Sequence, residues 1–369
     1  MVDFGFAPGT TGEDGRVRMM FAQRQNTTLI QKKRVVTLQG FIKLLNTTTA
    51  ITKPVGTLLF GSHANDQGFV GVQMFRGQKG STDFDTLVDS LSDPAKSIAI
   101  PDSLIGYTAG NPVTTFFHFK GCNLGKAKPF LTKLKEALGD HVSVTAPKHF
   151  HGLTPAPPEG IFEYMCYEID ILRNKAFPDR ATAISEFQAL KFHRIDGTPI
   201  PDADWDGLIP KRIGATSEDQ VSQSLGTTIG KRKTILTPHK FRVNPHPFPW
   251  TLIFADAGSI PKSNADRLQA LEDDMRANSK FKDDHPFPSY KRLGYQSFDD
   301  FFSGYDWTCL PYKAKLVCTG NRVKYTVVTA ITDTATGNLV FNFYPNSGFP
   351  QPAMTTAIKE SDPIFFETV

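Results

Sequence analysis

Hydrophobic residues follow two alternating patterns over the first 150 residues. Unbroken apolar runs predict buried strands at 17–22, 57–61, 114–121 and 142–147. Between these runs, apolar residues recur every three or four positions, which predicts helices. Strands that alternate with helices are typical of an α/β layer, so we expect a mostly parallel sheet flanked by helices.

Three helices are predicted between these strands. One face of the helix predicted at 35–46 is apolar and consists of Leu38, Phe41, Ile42 and Leu45. A second helix is predicted at 83–91 and a third at 125–140. Gly139 stands where a helix commonly ends on a residue with positive φ, so we expect the third helix to end there.

The pattern changes at about residue 152. A connector rich in Pro and Gly occupies 152–160, and residues 161–172 alternate enough to predict a strand. The clearest remaining helix is predicted at 263–278, with Ser263 or Asn264 as its N-cap.

The final quarter of the chain predicts an antiparallel meander of three strands over 313–345. Gly320-Asn321 and Gly337-Asn338 mark its turns. The second half is therefore expected to be a mixed α+β region, and we divide the chain into domains at 1–152 and 153–369.

Composition and charge exclude several classes of function. The chain has 369 residues, 40% of them hydrophobic, and a net charge of only +4. The basic clusters at 31–34 and 230–233 are short and lack interleaved aromatic residues, so we expect no nucleic-acid partner. No stretch of eighteen apolar residues occurs, and the N-terminus lacks the features of a secretory signal, so we expect a cytoplasmic protein with no membrane partner.

Four cysteines are spread over the chain: Cys122, Cys166, Cys309 and Cys318. They are too few and too dispersed to predict a disulfide framework, and none forms a CxxC zinc pair. We therefore expect free thiols. Cys309 and Cys318 are most simply core residues, whereas the position of Cys122 gives it a different interpretation.

Two chemically active residues come directly after predicted parallel strands. His63 follows the run at 57–61, and Cys122 follows the run at 114–121. The carboxyl ends of parallel strands lie along one edge of a sheet, where ligands bind. If the two strands are neighbours, about 5 Å apart, the imidazole can reach the thiol.

An imidazole beside a thiol activates it as a nucleophile. The histidine stabilises the thiolate as an ion pair or takes its proton as a general base. We also expect the helix that begins near Lys126 to favour an anion at Cys122. The small or polar residues Gly121, Asn123 and Gly125 leave room for a substrate chain.

The motifs around these two residues, SHxxxxG and GCNxG, resemble those of the caspase-like cysteine peptidases, a clan that includes caspases, metacaspases, gingipains, clostripain and the CHAT-type proteases. The resemblance covers residues 15–150 and looks closest to the CHAT-type branch. It implies that His63 is the general base and acid and that Cys122 is the nucleophile. The backbone N–H groups of Cys122 and Ala64 would form the oxyanion hole. The family usually has glycine where this chain has Ala64.

Further residues near the same edge are candidates for binding substrate. Ser62 and Asn123 flank the dyad, and Lys148, His149 and His151 follow the next predicted strand. The last three would form a wall of the substrate pocket. Alternatively, the two histidines of the HxH pair bind a metal, although no third ligand can be named. The third alternative is an ordinary loop.

The segment at 202–207 resembles the start of a calcium loop. Asp202, Asp204 and Asp206 would supply oxygen ligands, but an EF-hand loop requires an acid at its twelfth position, which here is Ile213. The alternative is a solvated acidic turn. Because some caspase-like peptidases are activated by calcium, calcium is the only cofactor that we consider.

We therefore expect a cysteine endopeptidase that cleaves protein or peptide substrates through a thioester acyl-enzyme. The C-terminal half would complete or regulate its substrate groove. Two alternatives stay open, namely a catalytically inactive caspase-like scaffold and an amidase or acyltransferase that uses the same dyad on a small substrate.

Overall fold

The structure is a computed structural model. It describes residues 2–9, 12–30, 35–47, 55–105, 107–108, 111–112, 115–139, 141–190, 209, 222–229, 232–285, 288–331, 340–349 and 358–369. The predicted calcium ligands Asp202, Asp204 and Asp206 and the predicted turn at Gly337-Asn338 lie outside these residues.

The strands within the described residues are β1 (Val2–Phe6), β2 (Thr27–Leu29), β3 (Val55–Gly61), β4 (Tyr107–Thr108), β5 (Asn111–Pro112), β6 (Thr115–Lys120), β7 (Val142–Pro147), β8 (Phe150–Ala156), β9 (Gly160–Arg173), β10 (Ser222–Ile229), β11 (Arg232–Pro245), β12 (Phe248–Ile253), β13 (Asp306–Tyr312), β14 (Lys315–Asn321), β15 (Val323–Ala330), β16 (Phe341–Pro345) and β17 (Phe366–Thr368). The α-helices there are α1 (Gly12–Gln23), α2 (Leu38–Thr47), α3 (Phe84–Ser92), α4 (Lys128–Leu138), α5 (Arg180–Ala189), α6 (Asn264–Ala277), α7 (Ser289–Arg292) and α8 (Phe298–Ser303).

The chain forms two compact units. The first consists of Met1–Tyr167, Leu225–Leu236 and Ala330–Val369, and the second of Glu168–Ser224 and Thr237–Thr329. Residue 152, where we divide the sequence into domains, lies in β8 of the first unit.

The first unit contains a six-stranded sheet in the order β17-β7-β6-β3-β1-β2. Neighbours from β7 to β2 run parallel, and β17 pairs antiparallel with β7 at the edge. The predicted α/β arrangement with a mostly parallel sheet is therefore confirmed.

Successive residues of β3 face different cores, because side chains alternate along a strand. Leu58 and Phe60 belong to a cluster that includes the apolar faces of α2 and α4. Leu59 belongs to a second cluster with Val17 and Phe21 of α1. Helices thus cover both faces of the sheet, as expected for parallel strands that are buried on both sides.

The helices predicted in the first half are confirmed within a few residues. The buried positions of α2 include all four residues predicted for its apolar face. α3 begins after Asp83, whose carboxylate accepts the N–H of Thr86. α4 is followed by Gly139, whose φ of 100° is in the region that favours glycine.

Two predictions in the first unit are wrong. Residues 17–22 belong to the helix α1 and not to a strand, because Val17, Met20 and Phe21 have the spacing of one helical face. The supposed connector at 152–160 contains most of β8, which pairs antiparallel with β9 across a short turn. Its Pro and Gly residues belong to the end of one strand and to that turn.

The second unit is built around antiparallel strands. β11 pairs with β15, and α5 contributes Phe187 to a core with Phe241 and Tyr325. β14 lies between β12 and β13, and α6, α7 and α8 contribute to the core beside it. Ser263 is the N-cap of α6, where its hydroxyl accepts the N–H of Asp266 at 3.0 Å.

The strands of the predicted meander form, but they do not pair with each other as predicted. β14 pairs with β12 and β13, β15 pairs with β11, and β16 pairs with β9. The local apolar pattern correctly indicates strands. It does not indicate their partners, which are distant in the sequence.

Cys309 and Cys318 form a disulfide, so the expectation that all four thiols are free is wrong. The two residues lie opposite each other on β13 and β14, with 4.1 Å between their Cα atoms. Both are buried, as predicted for core residues. Cys122 and Cys166 do not take part in a disulfide.

Within the described part of the chain, none of the helices combines the length and apolar character that are needed to cross a bilayer.

We expect Phe60→Ala to lower the free energy of unfolding by ~3–5 kcal/mol, because it would empty a packed site. The Phe60 ring centroid lies 5.5 Å from that of Phe6, 5.7 Å from that of Phe117 and 5.1 Å from that of Phe119. Phe116→Ala on the neighbouring strand is the control, since this side chain is 46% exposed and its loss should cost less than ~1 kcal/mol. Urea denaturation followed by circular dichroism measures both; equal losses would contradict this packing.

Candidate active site

His63 and Cys122 follow two neighbouring parallel strands. β3 pairs directly with β6, and Gly61 is the partner of Lys120 in their register. The pairing continues past the strand ends, because the N–H of Ser62 donates to the carbonyl of Lys120 at 3.2 Å. His63 and Cys122 each come two residues after the Gly61–Lys120 pair, so they end adjacent strands at the same level of the sheet edge.

The backbone around His63 is held by a returning loop. The carbonyl of His63 accepts the N–H of Gly71 at 2.8 Å, and Ala64 forms a β-bridge with Val70. The hydroxyl of Ser62, which is buried, also donates to the carbonyl of His63. The His63 side chain is exposed, so substrate would have direct access to it.

The Cys122 thiol is half-buried, and its Sγ donates to the carbonyl of His151 at 3.5 Å. The next residue, Asn123, has a φ of 56°, and its N–H donates to the carbonyl of His149 at 2.9 Å. The turn that carries the thiol is thus attached to the start of β8 by two hydrogen bonds.

The helix after Cys122 begins later than predicted. A short 3-10 turn covers Leu124–Lys126, and α4 itself begins at Lys128. Because the favourable effect of a helix N-terminus is limited to its first turn, α4 stabilises a thiolate at Cys122 less than the sequence indicates.

Gly121 allows the two strand ends to approach closely. A Cβ at this position would lie 2.6 Å from the Cβ of Ala64 and 2.9 Å from the carbonyl oxygen of Ser62. Ala64, where the resembled family has glycine, therefore fills the space directly beside Gly121. The two residues proposed for the oxyanion hole come from segments that touch.

Lys148 and His149 follow the carboxyl end of β7, whereas His151 lies in β8, and the three residues have different partners. The N–H of Lys148 donates to the carbonyl of Phe365, and Nε2 of His149 donates to the carbonyl of Ile364 at 3.0 Å. Burial lowers the pKa of His149 to about 4, so its imidazole is neutral at pH 7. This predicted pocket wall is in contact with the C-terminal segment of the chain.

The imidazole of His151 is buried, and its Nε2 donates to Oε1 of Glu163 at 2.7 Å. His149 and His151 therefore bind different partners and do not converge as an HxH metal pair. Among the described residues, no group of three or more His, Cys, Asp or Glu side chains is arranged to hold a metal ion.

Glu163, on β9, is fully buried and accepts hydrogen bonds from four side chains. Its Oε1 accepts from Lys120 Nζ at 2.6 Å and from His151, and its Oε2 accepts from the Tyr344 hydroxyl at 2.6 Å and from Asn342 at 3.1 Å. Burial alone would raise the pKa of Glu163, but Lys120 and His151 hold that pKa well below its ordinary value. Glu163 is therefore an anion at neutral pH.

A second carboxylate, that of Glu360, completes this cluster. Its oxygens lie 2.9 Å from Lys120 Nζ, 3.0 Å from Nη2 of Arg24 and 3.5 Å from Nε2 of His118. These groups overcome the effect of burial and hold the pKa of Glu360 below its ordinary value. Burial lowers the pKa of His118 to about 3, so this imidazole is neutral.

This cluster is not among the predicted site residues, although the sequence of β6 indicates it. His118 and Lys120 alternate with Phe117 and Phe119 in a strand that is buried on both faces. A lysine at such a position requires a buried anion as its partner. The identity of that anion, Glu163, cannot be read from the pattern.

An open cleft of about 910 Å³ lies on the outer side of the cluster, where Arg24, Tyr344 and Glu360 contribute to its lining. Neither His63 nor Cys122 lines it. This cleft is therefore separate from the substrate groove that the sequence predicts.

No family model, curated protein or solved structure matches this chain. The resemblance to caspase-like peptidases thus rests on the two sequence motifs around His63 and Cys122.

We expect Gly121→Ala to lower the free energy of unfolding by ~1–3 kcal/mol, because the new methyl group would overlap Ala64, Phe119 and Ser62. Adding Ala64→Gly should restore part of the loss, since it removes the closest of these three contacts. Thermal denaturation of both variants measures this. If Gly121→Ala is as stable as the wild type, the strand ends do not approach as closely as described.

Stability should fall with acidification in two stages. The folded-state pKa of His118 is about 3, against an ordinary value of 6.5, so the unfolded chain binds more protons than the folded chain below pH 6.5. His149 acts in the same direction. Below the ordinary carboxyl value of 4.5, Glu163 takes up a proton in the unfolded chain while it stays ionised in the folded one, which adds a second fall.

Urea denaturation across this pH range measures the effect, and His118→Gln provides the comparison. In this variant the free energy of unfolding should change less steeply with pH than in the wild type between about pH 6.5 and pH 4.5, where the histidines titrate in the unfolded chain. Identical slopes would contradict a buried, neutral His118.

Proposed function

We propose that the protein is a cysteine peptidase of caspase-like type, with Cys122 as nucleophile and His63 as general base and acid. The observation that carries this proposal is the register of β3 and β6, which ends both strands at one level, with His63 and Cys122 each two residues beyond the last pair. The order along the chain, with histidine after one strand and cysteine after the next, is also that of the resembled family.

The chemistry follows from these two groups. His63 takes the thiol proton, and the sulfur of Cys122 attacks the carbonyl carbon of the peptide bond. The backbone N–H groups of Ala64 and Cys122 would stabilise the negative charge that develops on the carbonyl oxygen. The leaving amine takes its proton from His63, and a thioester is left on Cys122.

Water completes the cycle. His63 accepts a proton from water, which attacks the thioester and releases the carboxylic acid, and the thiol regains its proton. Protein or peptide substrates would bind along the same sheet edge, beside Ser62 and Asn123. The reaction requires no cofactor.

One observation favours a catalytically inactive scaffold as the second candidate. Residues from the C-terminal segment, including Ile364 and Phe365, already bind the main chain of Lys148 and the ring of His149. The C-terminal segment thus occupies residues predicted to line the substrate pocket. In such a scaffold the sheet edge would bind a partner without cleaving it. The two candidates differ in the reactivity of Cys122.

Location in the cytoplasm stays a prediction. The disulfide between Cys309 and Cys318 is a bond more typical of oxidising compartments.

We expect an electrophilic peptide probe to label the wild type at Cys122, because a histidine-activated thiol attacks such a group faster than an ordinary thiol does. His63→Ala should slow labelling at least ~100-fold, which is within the range that general base catalysis contributes. Peptide mapping by mass spectrometry identifies the labelled residue and gives the rate.

Cys166→Ala is the matched control, since it removes the other thiol that takes no part in the disulfide, and Cys166 is buried. This variant should keep the wild-type rate, whereas Cys122→Ala should lose all labelling. If Cys122 is labelled at the same rate in His63→Ala as in the wild type, the peptidase proposal is rejected in favour of the scaffold.

A further inference from the structure

Contacts around Gly121 form a closed circuit that passes through Glu163. Lys120 and Cys122 flank Gly121 in the chain. Nζ of Lys120 donates to Oε1 of Glu163 at 2.6 Å, and Nε2 of His151 donates to the same oxygen at 2.7 Å. Sγ of Cys122 donates to the carbonyl of His151 at 3.5 Å, which closes the circuit.

Glu163 is fixed at the centre of this circuit. Its other oxygen accepts from the Tyr344 hydroxyl and from Asn342, so its four hydrogen-bond donors come from three strands of the first unit, β6, β8 and β16. The side chain is fully buried. A carboxylate held on both oxygens cannot rotate without leaving a buried donor unpaired, which is costly.

The circuit attaches both ends of the turn around Cys122 to one carboxylate. Lys120 precedes the turn directly, and His151 accepts the thiol hydrogen on its main chain while its ring is bound to Glu163. Asn123, directly after the thiol, also donates to the carbonyl of His149. Movement of residues 149–151 would therefore displace the sulfur.

We propose that Glu163 is a positioning residue for Cys122, which it holds in place through His151 and Lys120. Its consequence for catalysis rests on the proposed function, whereas the positioning itself does not. Glu163 does not touch the thiol, so it takes no part in proton transfer or attack. It determines where the sulfur lies relative to the strand end that carries His63.

Glu163→Gln tests this role, because glutamine has the same shape but lacks the charge that binds Lys120 and His151. The matched control is Glu360→Gln, which removes the other carboxylate in contact with Lys120 and leaves the bond between His151 and Glu163 in place. Both variants are studied as the full chain by hydrogen–deuterium exchange with mass spectrometry.

We expect Glu163→Gln to accelerate exchange at least ~10-fold in peptides that cover 121–127 and 148–152, since local opening there becomes easier. Glu360→Gln should instead affect the peptides of the C-terminal segment, 358–369. A role in stability alone would raise exchange evenly over β3, β6 and β7. Such an even rise, or unchanged exchange at 121–127, would overturn the proposal.

If Glu163→Gln does not fold, His151→Leu replaces it, because leucine cannot donate to Glu163 and the variant leaves Glu163 bound to Lys120, Tyr344 and Asn342. The same local increase in exchange is expected, and its absence would overturn the proposal equally. Exchange needs no catalytic activity. If the probe does not label the wild type, the peptidase function is rejected, but the exchange data still decide whether Glu163 positions Cys122.

Discussion

The buried ion pair between Lys120 and Glu163 is the interaction on which the site depends. Lys120 is the last residue of β6, two residues before Cys122, and both members of the pair are buried. Removal of one member of such a pair typically costs ~3–5 kcal/mol, because the other is left as an uncompensated charge. The pair therefore constrains the end of β6 more strongly than apolar packing alone would.

Around this pair the charges balance. Arg24 and Lys120 supply two cations and Glu163 and Glu360 supply two carboxylates, while burial keeps His118 neutral. Such clusters are tolerated in a protein interior only when each member has a partner. This one connects the end of a central strand to β9 and to the C-terminal segment, and these elements surround the turn that carries Cys122.

Much of the first half of the chain is predictable from its sequence, because its strands and helices have strong local patterns. β3, β6 and β7 and the helices between them form where the apolar spacing indicates, so the positions of His63 and Cys122 after strands are predictable. The pairing of β3 with β6, which makes these strands neighbours, is seen only in the folded chain. The prediction of a strand at 17–22 is wrong because six residues are too few to distinguish a strand from one apolar face of the helix α1.

The features that the sequence did not indicate are contacts between distant segments. Glu163 lies 43 residues after Lys120, and the partners of β14, β15 and β16 are chosen by tertiary packing and not by the turns beside them. The disulfide between Cys309 and Cys318 depends likewise on the register of β13 and β14. An apolar pattern gives an element its type, but register and charge pairing are properties of the folded chain.

A crystal structure of the protein after reaction with the peptide probe tests the central claim most directly. The account predicts a covalent bond from the probe to Sγ of Cys122, an imidazole nitrogen of His63 within about 4 Å of that sulfur, and Glu163 still bound to His151 and Lys120. A probe attached elsewhere, or a His63 ring turned away from Cys122 and beyond reach of it, would contradict the account.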